Sequence, residues 1–565
     1  MDADPEFCRQ VRCKTDAAPG TSTKGLAAVD RVWLRTLSEV IADKDAFPPR
    51  PDVELARREA VLQVRASFEA SVEALVPAGT LQVPRESLNR WILTRANRLG
   101  ATWRAAIDPV FGEEVERGSV LLAEEVLKAI PVQLPYVDAD DAPGCRGNLL
   151  RYVDALLPCV EGADCSDLVQ ECMAAKAWAI GSTSDSDSSA VIDSTSATSQ
   201  LSALQQLAQP VLRRLFATRV ETLVADLGTR CDRAAESLRQ LQRSAAPQLP
   251  VTASLDMKRH AYIFCTDAAD DDGEVTLADC AGEGFILSTG RLDKLARALR
   301  SSTRCLEAAL RSEQLDAPMH EALKFMQCSE TLWQLAFCIL CRSDALCGPR
   351  MNEGGGMHAA LPARVFDAVL GGEDAENARS QPAIEAFASP LLCHGGRWRF
   401  CSLFPDLDVF FGSLGSFFSL AVAPQVLGGC FEANPPFVHG VVEPMVDKIL
   451  SSLAAAEEAE VALQFIMVVP HGKGIEASMS SAEGSALQRL LQSRFTASAS
   501  DGGRYPFAFG LSFRTDRAWP AFNAGARVLI LRTSAYKASV QESADSLLLR
   551  LLRQWGASEA NMLDG

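Results

Sequence analysis

Between residues 53 and 75 the apolar positions Val61, Val64, Phe68, Val72 and Leu75 recur at helical spacing among charged residues, the pattern of an amphipathic helix. Pro84 and Pro131 act as breakers between the helices that follow. A second set, Leu204, Leu207, Val211 and Leu215 with Val220, Leu223, Val224 and Leu227, predicts a long helix kinked or broken near Pro210. Between the two sets, residues 181–200 are rich in Ser, Thr and Asp and too poor in apolar residues to order themselves, so they read as a linker or insertion loop. After Pro250 the texture changes. The runs Ala261-Tyr262-Ile263-Phe264-Cys265 and Gly284-Phe285-Ile286-Leu287, separated by an acidic stretch, predict a strand pair. Helical spacing then occupies about 290 to 345, and beyond Gly354-Gly355-Gly356 strands and helices alternate. Residues 461–469 and 527–531 are near-continuous apolar runs, as strands buried on both faces should be. The pattern predicts a disordered tail over 1–24, an all-helical domain over 25–250 with its linker at 181–200, and an α/β domain over 251–565 whose sheet is covered by helices.

Composition narrows the function classes. The 565 residues carry a net charge of −17, which argues against a nonspecific nucleic-acid binder, because phosphate affinity comes from Lys and Arg. Any RNA contact must then be a local basic patch. The opening residues Met1-Asp2-Ala3-Asp4-Pro5-Glu6 lack a basic and apolar leader pattern, and no run of about 18 apolar residues follows. The expectation is a soluble intracellular protein with no membrane association, in the nucleus, with the cytoplasm as the alternative. The 17 cysteines do not resemble a disulfide scaffold and are expected to stay reduced. Cys328, Cys338, Cys341 and Cys347 include a Cys-x-x-Cys spacing that zinc could use. Leu332, Leu335, Phe337, Ile339 and Leu340 around them favour a buried helix instead, so no metal is expected.

The stretch Phe431-Glu432-Ala433-Asn434-Pro435-Pro436-Phe437 carries the most chemistry. An apolar strand runs into two prolines and stops. The prolines fix φ, remove two backbone donors and force an extended shape. The Asn434 amide oxygen and a backbone carbonyl, that of Pro435, can then accept from an exocyclic amino group. The Phe437 ring can stack on the base that bears it. Read without context, the same residues are a tight proline turn after a buried strand.

The blocks around this stretch resemble those of the cap-specific adenosine N6-methyltransferases of the phosphorylated-CTD-interacting-factor type. Phe387-Ala388-Ser389-Pro390-Leu391, Cys401-Ser402-Leu403-Phe404-Pro405-Asp406, Phe411-Gly412-Ser413-Leu414-Gly415 and Phe431 to Phe437 come in the family's order. Ala360 to Phe366 and Phe465 to Pro470 add to them. The resemblance covers about residues 255 to 540, and the helical region only faintly. It implies a Rossmann-like, S-adenosyl-L-methionine-dependent domain preceded by an all-helical one. The implied activity is N6-methylation of the cap-adjacent (2′-O-methyl)adenosine of capped mRNA. Asn434, Pro435, Pro436 and Phe437 would be catalytic. Phe387, Ser389, Pro390, Asp406, Asp408, Gly412, Ser413, Gly415 and His439 are candidates for the cofactor, which open α/β sheets bind beyond the carboxyl ends of their strands.

The resemblance also implies basic residues of the helical region facing the cleft. Arg90, Arg95 and Arg98, in a set running from Arg85 to Arg104 around Trp91 and Trp103, could hold the cap by stacking and charge-assisted bonds. Lys473 and then Arg364 are further candidates. The bland reading of the arginine set is a solvated helix face. Two departures stand out: Val438-His439-Gly440 replaces an expected glutamate, and Gly472-Lys473 replaces an aromatic and basic pair. The WW module of animal members is expected to be missing, and with it recruitment to the RNA polymerase II tail. A catalytically silent RNA-binding adaptor that kept the fold, or an enzyme for internal RNA or DNA adenine, are the alternatives.

Overall fold

The computed structural model describes residues 27–43, 46–73, 88–89, 92–93, 145–160, 166–181, 190–244, 250–265, 285–312, 316–347, 359–370, 382–395, 398–420, 428–471, 485–508, 514 and 522–556. The expected tail over 1–24 lies outside them. So do Arg90, Arg95, Arg98 and Lys473.

Four helices carry one apolar core. They are α2 (Pro51–Glu73), α3 (Cys145–Val160), α4 (Ser166–Gly181) and α5 (Ala190–Arg243). Val61, Val64 and Phe68 of the predicted stripe meet Leu204, Val220, Leu223, Val224 and Leu227 in this core. Two expectations change here. The helix α5 continues through Pro210, which excludes the break but not the kink expected there, and it begins at Ala190, inside the tract expected to be a linker. Ser and Asp are tolerated near helix starts, where their side chains compete least with the backbone ladder.

The helix before this set, α1 (Ala28–Ile41), belongs to a different core. Its buried Trp33 and Leu37 pack in the cluster that covers the sheet, and Trp33 Nε1 donates to the carbonyl of Val409 at 2.8 Å. Arg399 reaches Asp30 of the same helix at 2.6 Å. The helical region predicted over 25–250 therefore contributes its first helix to the sheet layer. An amphipathic stripe says that a helix is covered, not by what.

A small antiparallel sheet follows, β1 (Thr252–Asp256), β2 (Ala261–Cys265) and β3 (Phe285–Ser288), in that order. The strand pair read from the sequence is β2 with β3. The strand β1 is polar and half-buried, and gave no apolar signal. Cys265 at the end of β2 is disulfide-bonded, contrary to the expectation that the cysteines stay reduced. Three helices, α6 (Thr289–Ser312), α7 (Ala317–Gln327) and α8 (Thr331–Cys347), fill the helical stretch. Cys338 and Cys341 of α8 are buried among its apolar side chains, and burial pushes both thiols well above their ordinary range.

The remaining elements build a seven-stranded mixed sheet. In chain order they are α9 (Ala363–Leu370), β4 (Ala383–Ala388), β5 (Trp398–Ser402), α10 (Pro405–Asp408), β6 (Gly429–Ala433), α11 (His439–Glu458), β7 (Leu463–Pro470), α12 (Ala486–Leu491), β8 (Thr496–Ala499), β9 (Gly503–Phe507), β10 (Phe522–Arg532), α13 (Ser534–Ser539) and α14 (Ala544–Gly556). The path is β5-β4-β6-β7-β10-β8, with β9 also paired to β10. The strands β5, β4, β6 and β7 are mutually parallel, and β10 runs antiparallel to β7. Alternate residues of β7 and β10 point into different cores. Phe465, Met467, Leu529 and Leu531 face the cluster with α11, while Ile466, Val468, Val528 and Ile530 face the cluster with α9 and α14. Burial on both faces explains why those runs are apolar throughout. Among the described residues no helix is long and apolar enough to cross a membrane.

The helical set and the sheet are joined by charge. Arg342 of α8 bonds Glu54 of α2 through Nε at 2.7 Å and Nη2 at 2.8 Å, and Asp406 of α10 through Nη1 at 2.9 Å and Nη2 at 2.6 Å. All three side chains are at most 5% exposed. Burial works against the Glu54 charge, but Arg342 and Arg57 outweigh it and hold its carboxyl below the usual range. Removing the cation would leave Asp406 buried and unpaired and Glu54 with Arg57 alone, 3.4 Å away, a change that costs about 3–5 kcal/mol for buried pairs. Arg342→Ala should therefore lower denaturant and thermal stability by that order. Arg230→Ala, which breaks an exposed pair with Asp226, should leave both nearly unchanged. Equal effects of the two substitutions would contradict the assignment.

Candidate functional site

The chain crosses from β4 to its neighbour β5 on one side and then returns to β6 on the other side of β4. At such a reversal the loops leaving the carboxyl ends of two adjacent parallel strands diverge and open a crevice, the place where open α/β sheets bind ligands. The segments that leave β4 and β6 are Ser389-Pro390 and Asn434-Pro435-Pro436. A cavity of about 170 Å³ lies here. Its sheet wall is Glu385 and Phe387 of β4 with Ser389 after it, Ser402 of β5 with Asp408 after it, and Glu432 of β6 with Asn434 and Pro436 after it. Its helical wall includes Asn89, Leu93, Arg342 and Leu346, and Phe417 and Phe418 close one side.

Asn434 directly follows β6 and lines the cavity. Its side chain is 9% exposed, and its Nδ2 donates to the carbonyl of Ala359 at 3.1 Å. That bond fixes which way the amide faces, with the oxygen left to accept. Pro436 lines the cavity, but Phe437 does not reach it. The Phe437 ring is half-buried and meets Phe507 edge-on, with centroids 6.3 Å apart. His439 opens α11; the next two helical residues that matter here are Val441, on the cavity wall, and Val442, in the core.

The cofactor candidates divide. Phe387, Ser389 and Asp408 line the cavity. Pro390 is buried beside it, in a turn where Leu392 and Cys393 donate to the Ser389 carbonyl. Asp406 does not reach the cavity, because both its oxygens are taken by Arg342. Gly412, Ser413 and Gly415 do not reach it either. Gly412 and Gly415 adopt φ of 96° and 94°, a region that favours glycine. They let the segment fold back along β5, where Leu414 N donates to Phe400 O at 2.8 Å and Ser402 N to Gly415 O at 3.0 Å. The Ser413 hydroxyl bonds Ser402 Oγ at 2.7 Å. These glycines brace the sheet, whereas the sequence suggested close approach to a ligand. Arg364 donates to the carbonyls of Gln554 and Trp555 at the end of α14, so it caps a helix.

Two residues missed in the sequence dominate the electrostatics. Glu385 and Glu432 are register partners on β4 and β6, 3% and 2% exposed. Glu385 accepts from the His394 backbone N–H at 2.7 Å. Burial pushes its carboxyl up to about 7, against the pull of that bond and of Lys294. Burial pushes Glu432 well above its range, with the Glu385 charge adding, and its Oε1 is buried without a hydrogen-bond partner. Asp408 is pushed up to about 8, again chiefly by burial. The available signal was an acid inside a strand that is otherwise apolar on both faces. Three buried acids with aromatic neighbours suit a ligand that carries positive charge. Among the described residues no group of His, Cys, Asp and Glu is placed to hold a metal ion.

With this geometry in place, the similarity to known proteins is specific. Residues 316–500 match the family model for the phosphorylated CTD interacting factor 1 WW domain. Two curated relatives, the mRNA (2'-O-methyladenosine-N(6)-)-methyltransferases of Homo sapiens and Mus musculus, are each 24% identical over 462 residues, covering 80% of this chain and 58% of theirs. The chain thus spans somewhat over half the length of the curated relatives it matches. The matched family model overturns the expectation that the WW module is missing, and the exclusion of the RNA polymerase II tail as a partner is withdrawn with it. The matched span runs from α7 to the end of β8 and includes the whole sheet wall of the cavity.

The acids give a pH prediction. Because the folded Glu385 carboxyl is weaker than the unfolded one, the native state holds its proton longer. Its contribution is therefore full below about 4.5 and is lost as pH rises to about 7. Glu385→Gln keeps an acceptor for His394 and removes the titration. The ligand-free variant should melt higher than the wild type near pH 8, by roughly 1–3 kcal/mol of stability, and differ little near pH 5. A difference that does not change with pH would contradict the buried-acid account.

Proposed function

We propose that this chain is an S-adenosyl-L-methionine-dependent methyltransferase with a Rossmann-like sheet, acting on the N6 of the adenosine next to an mRNA cap. The observation that carries the reading is the position of Asn434-Pro435-Pro436 at the carboxyl end of β6, at the strand-order reversal, on a cavity lined by buried acids. The activity for which the two relatives are named supports it.

The residues fit the cofactor. Its sulfonium and ammonium are cationic, and Glu385, Glu432 and Asp408 are buried carboxyls that a bound cation would favour in their ionised form, one of them with an oxygen that has no partner. The cofactor supplies an electrophilic methyl group; the protein supplies position and field. Phe387 and Ser389 would hold it from the β4 side. The Asn434 oxygen and the Pro435 carbonyl would accept the two N6 hydrogens, draw the nitrogen lone pair out of conjugation and aim it at the methyl group. Phe437 would stack on the base from beside Pro436, and Arg90, Arg95, Arg98 and Lys473 would supply the basic patch for the cap and its phosphates. Nuclear localisation belongs to the same reading.

The purified protein incubated with labelled cofactor and matched RNAs, capped or uncapped and beginning with adenosine or guanosine, tests the substrate. Label should enter only the capped, adenosine-initiated RNA. Labelling of internal adenosines would favour the broader adenine reading, and no labelling of any RNA would favour the silent adaptor. Asn434→Ala should reduce transfer by at least about a hundredfold, the loss expected when a group acting in the transition state is removed, while the cofactor still raises the melting temperature. Wild-type turnover in that variant would remove the assignment.

A further inference from the structure

The helical wall of the cavity carries a polar group that none of the roles above uses. Asn89 is 1% exposed and lines the cavity. Its Oδ1 accepts from Nη2 of Arg65 at 2.7 Å, and Arg65, itself buried, is held by the carbonyls of Ala345 and Leu346, both at 3.2 Å. Arg65 thereby dictates which end of the amide faces inward. The Nδ2 end is left buried with no partner. A buried amide donor without an acceptor is destabilising, so a position that keeps one is suited to a ligand that supplies the acceptor. Leu93, four residues on, packs with Val438 and Val441 just after the Asn434 stretch. The segment carrying Asn89 is thus seated on the same site as the strand ends.

The charge of the cavity selects the acceptor. The sheet wall carries Glu385, Glu432 and Asp408, one of them with an orphaned oxygen, and these match cationic groups. Arg342, the one cation on the described lining, is committed to Glu54 and Asp406. A zwitterion bound here needs its carboxylate turned from the acids toward a donor. Asn89 is a donor held by the opposite set of elements.

We infer that Asn89, oriented by Arg65, is a ligand-binding residue contributed by the helical region, and that it donates to the carboxylate of the amino-acid end of the methyl donor. The inference rests on the methyl-donor reading of the cavity. It makes the helical region part of the cofactor site as well as a platform for RNA.

The test is binding of S-adenosylhomocysteine and of its decarboxylated analogue, which keeps the adenosine and the amine, to the full chain by calorimetry. Asn89→Asp keeps an oxygen for Arg65 and replaces the donor by an acceptor. It should weaken S-adenosylhomocysteine by roughly tenfold to a hundredfold, the range for one hydrogen bond to a charged group. The decarboxylated analogue should bind the variant as it binds the wild type, or more tightly. Asn89→Ala, compared with the same two ligands, gives an independent reading if the aspartate variant does not fold. Equal losses for both ligands, or no loss for either, would overturn the inference while leaving the methyl-donor reading standing. A wild-type protein that binds neither ligand would sink the methyl-donor reading and this inference with it.

Discussion

Everything at the site depends on the buried bridge Glu54–Arg342–Asp406. Each carboxylate comes from a different part of the chain, one from α2 and one from α10 after β5, and the guanidinium between them belongs to α8. The Phe404 ring lies under the guanidinium, 5.1 Å from its centre. Burying such a triad gains little over apolar packing, but breaking it is expensive, and the geometry of two paired carboxylates on one planar cation permits a single arrangement. The helical set is thereby fixed in one position against the carboxyl ends of the sheet. The cavity is the space left between them.

That constraint separates two kinds of acid. Asp406 is close to the site in sequence and resembles a ligand-binding carboxylate, but its charge is consumed by the bridge. Glu385, Glu432 and Asp408 lie within the cavity with no guanidinium of their own, so burial raises them. A cation arriving there would favour the ionised carboxylates, with the released protons going to solvent. Pairing of structural charge in one place and withholding of it a few residues away is what gives the cavity its preference.

Much of this was legible in the sequence for a physical reason. Proline restricts the backbone locally, so the end of β6 and the presentation of Asn434 could be read from Asn434-Pro435-Pro436 alone. Apolar runs that ignore the strand period announced β7 and β10 as buried on both faces. What was not legible depends on partners remote in sequence. Nothing near Asp406 announces Arg342, and nothing near Asn89 announces Arg65. Gly412 and Gly415 look the same whether a glycine admits a ligand or a turn of the chain, and here it is the turn. The stripe on α1 did not say that its core is the sheet's. Phe437 was read as a stacking ring from its neighbours in sequence, and nothing there announced its perpendicular contact with Phe507 of β9.

Hydrogen–deuterium exchange of the full chain with and without S-adenosylhomocysteine tests most directly whether this cavity is the cofactor site. The account predicts slowed exchange confined to the ends of β4 and β6, around residues 385–393 and 432–442, together with the amides of Asn89 and Leu93, which line the cavity from the helical side. Binding that leaves these segments unprotected, or that protects the Gly412–Gly415 turn alone, would contradict it.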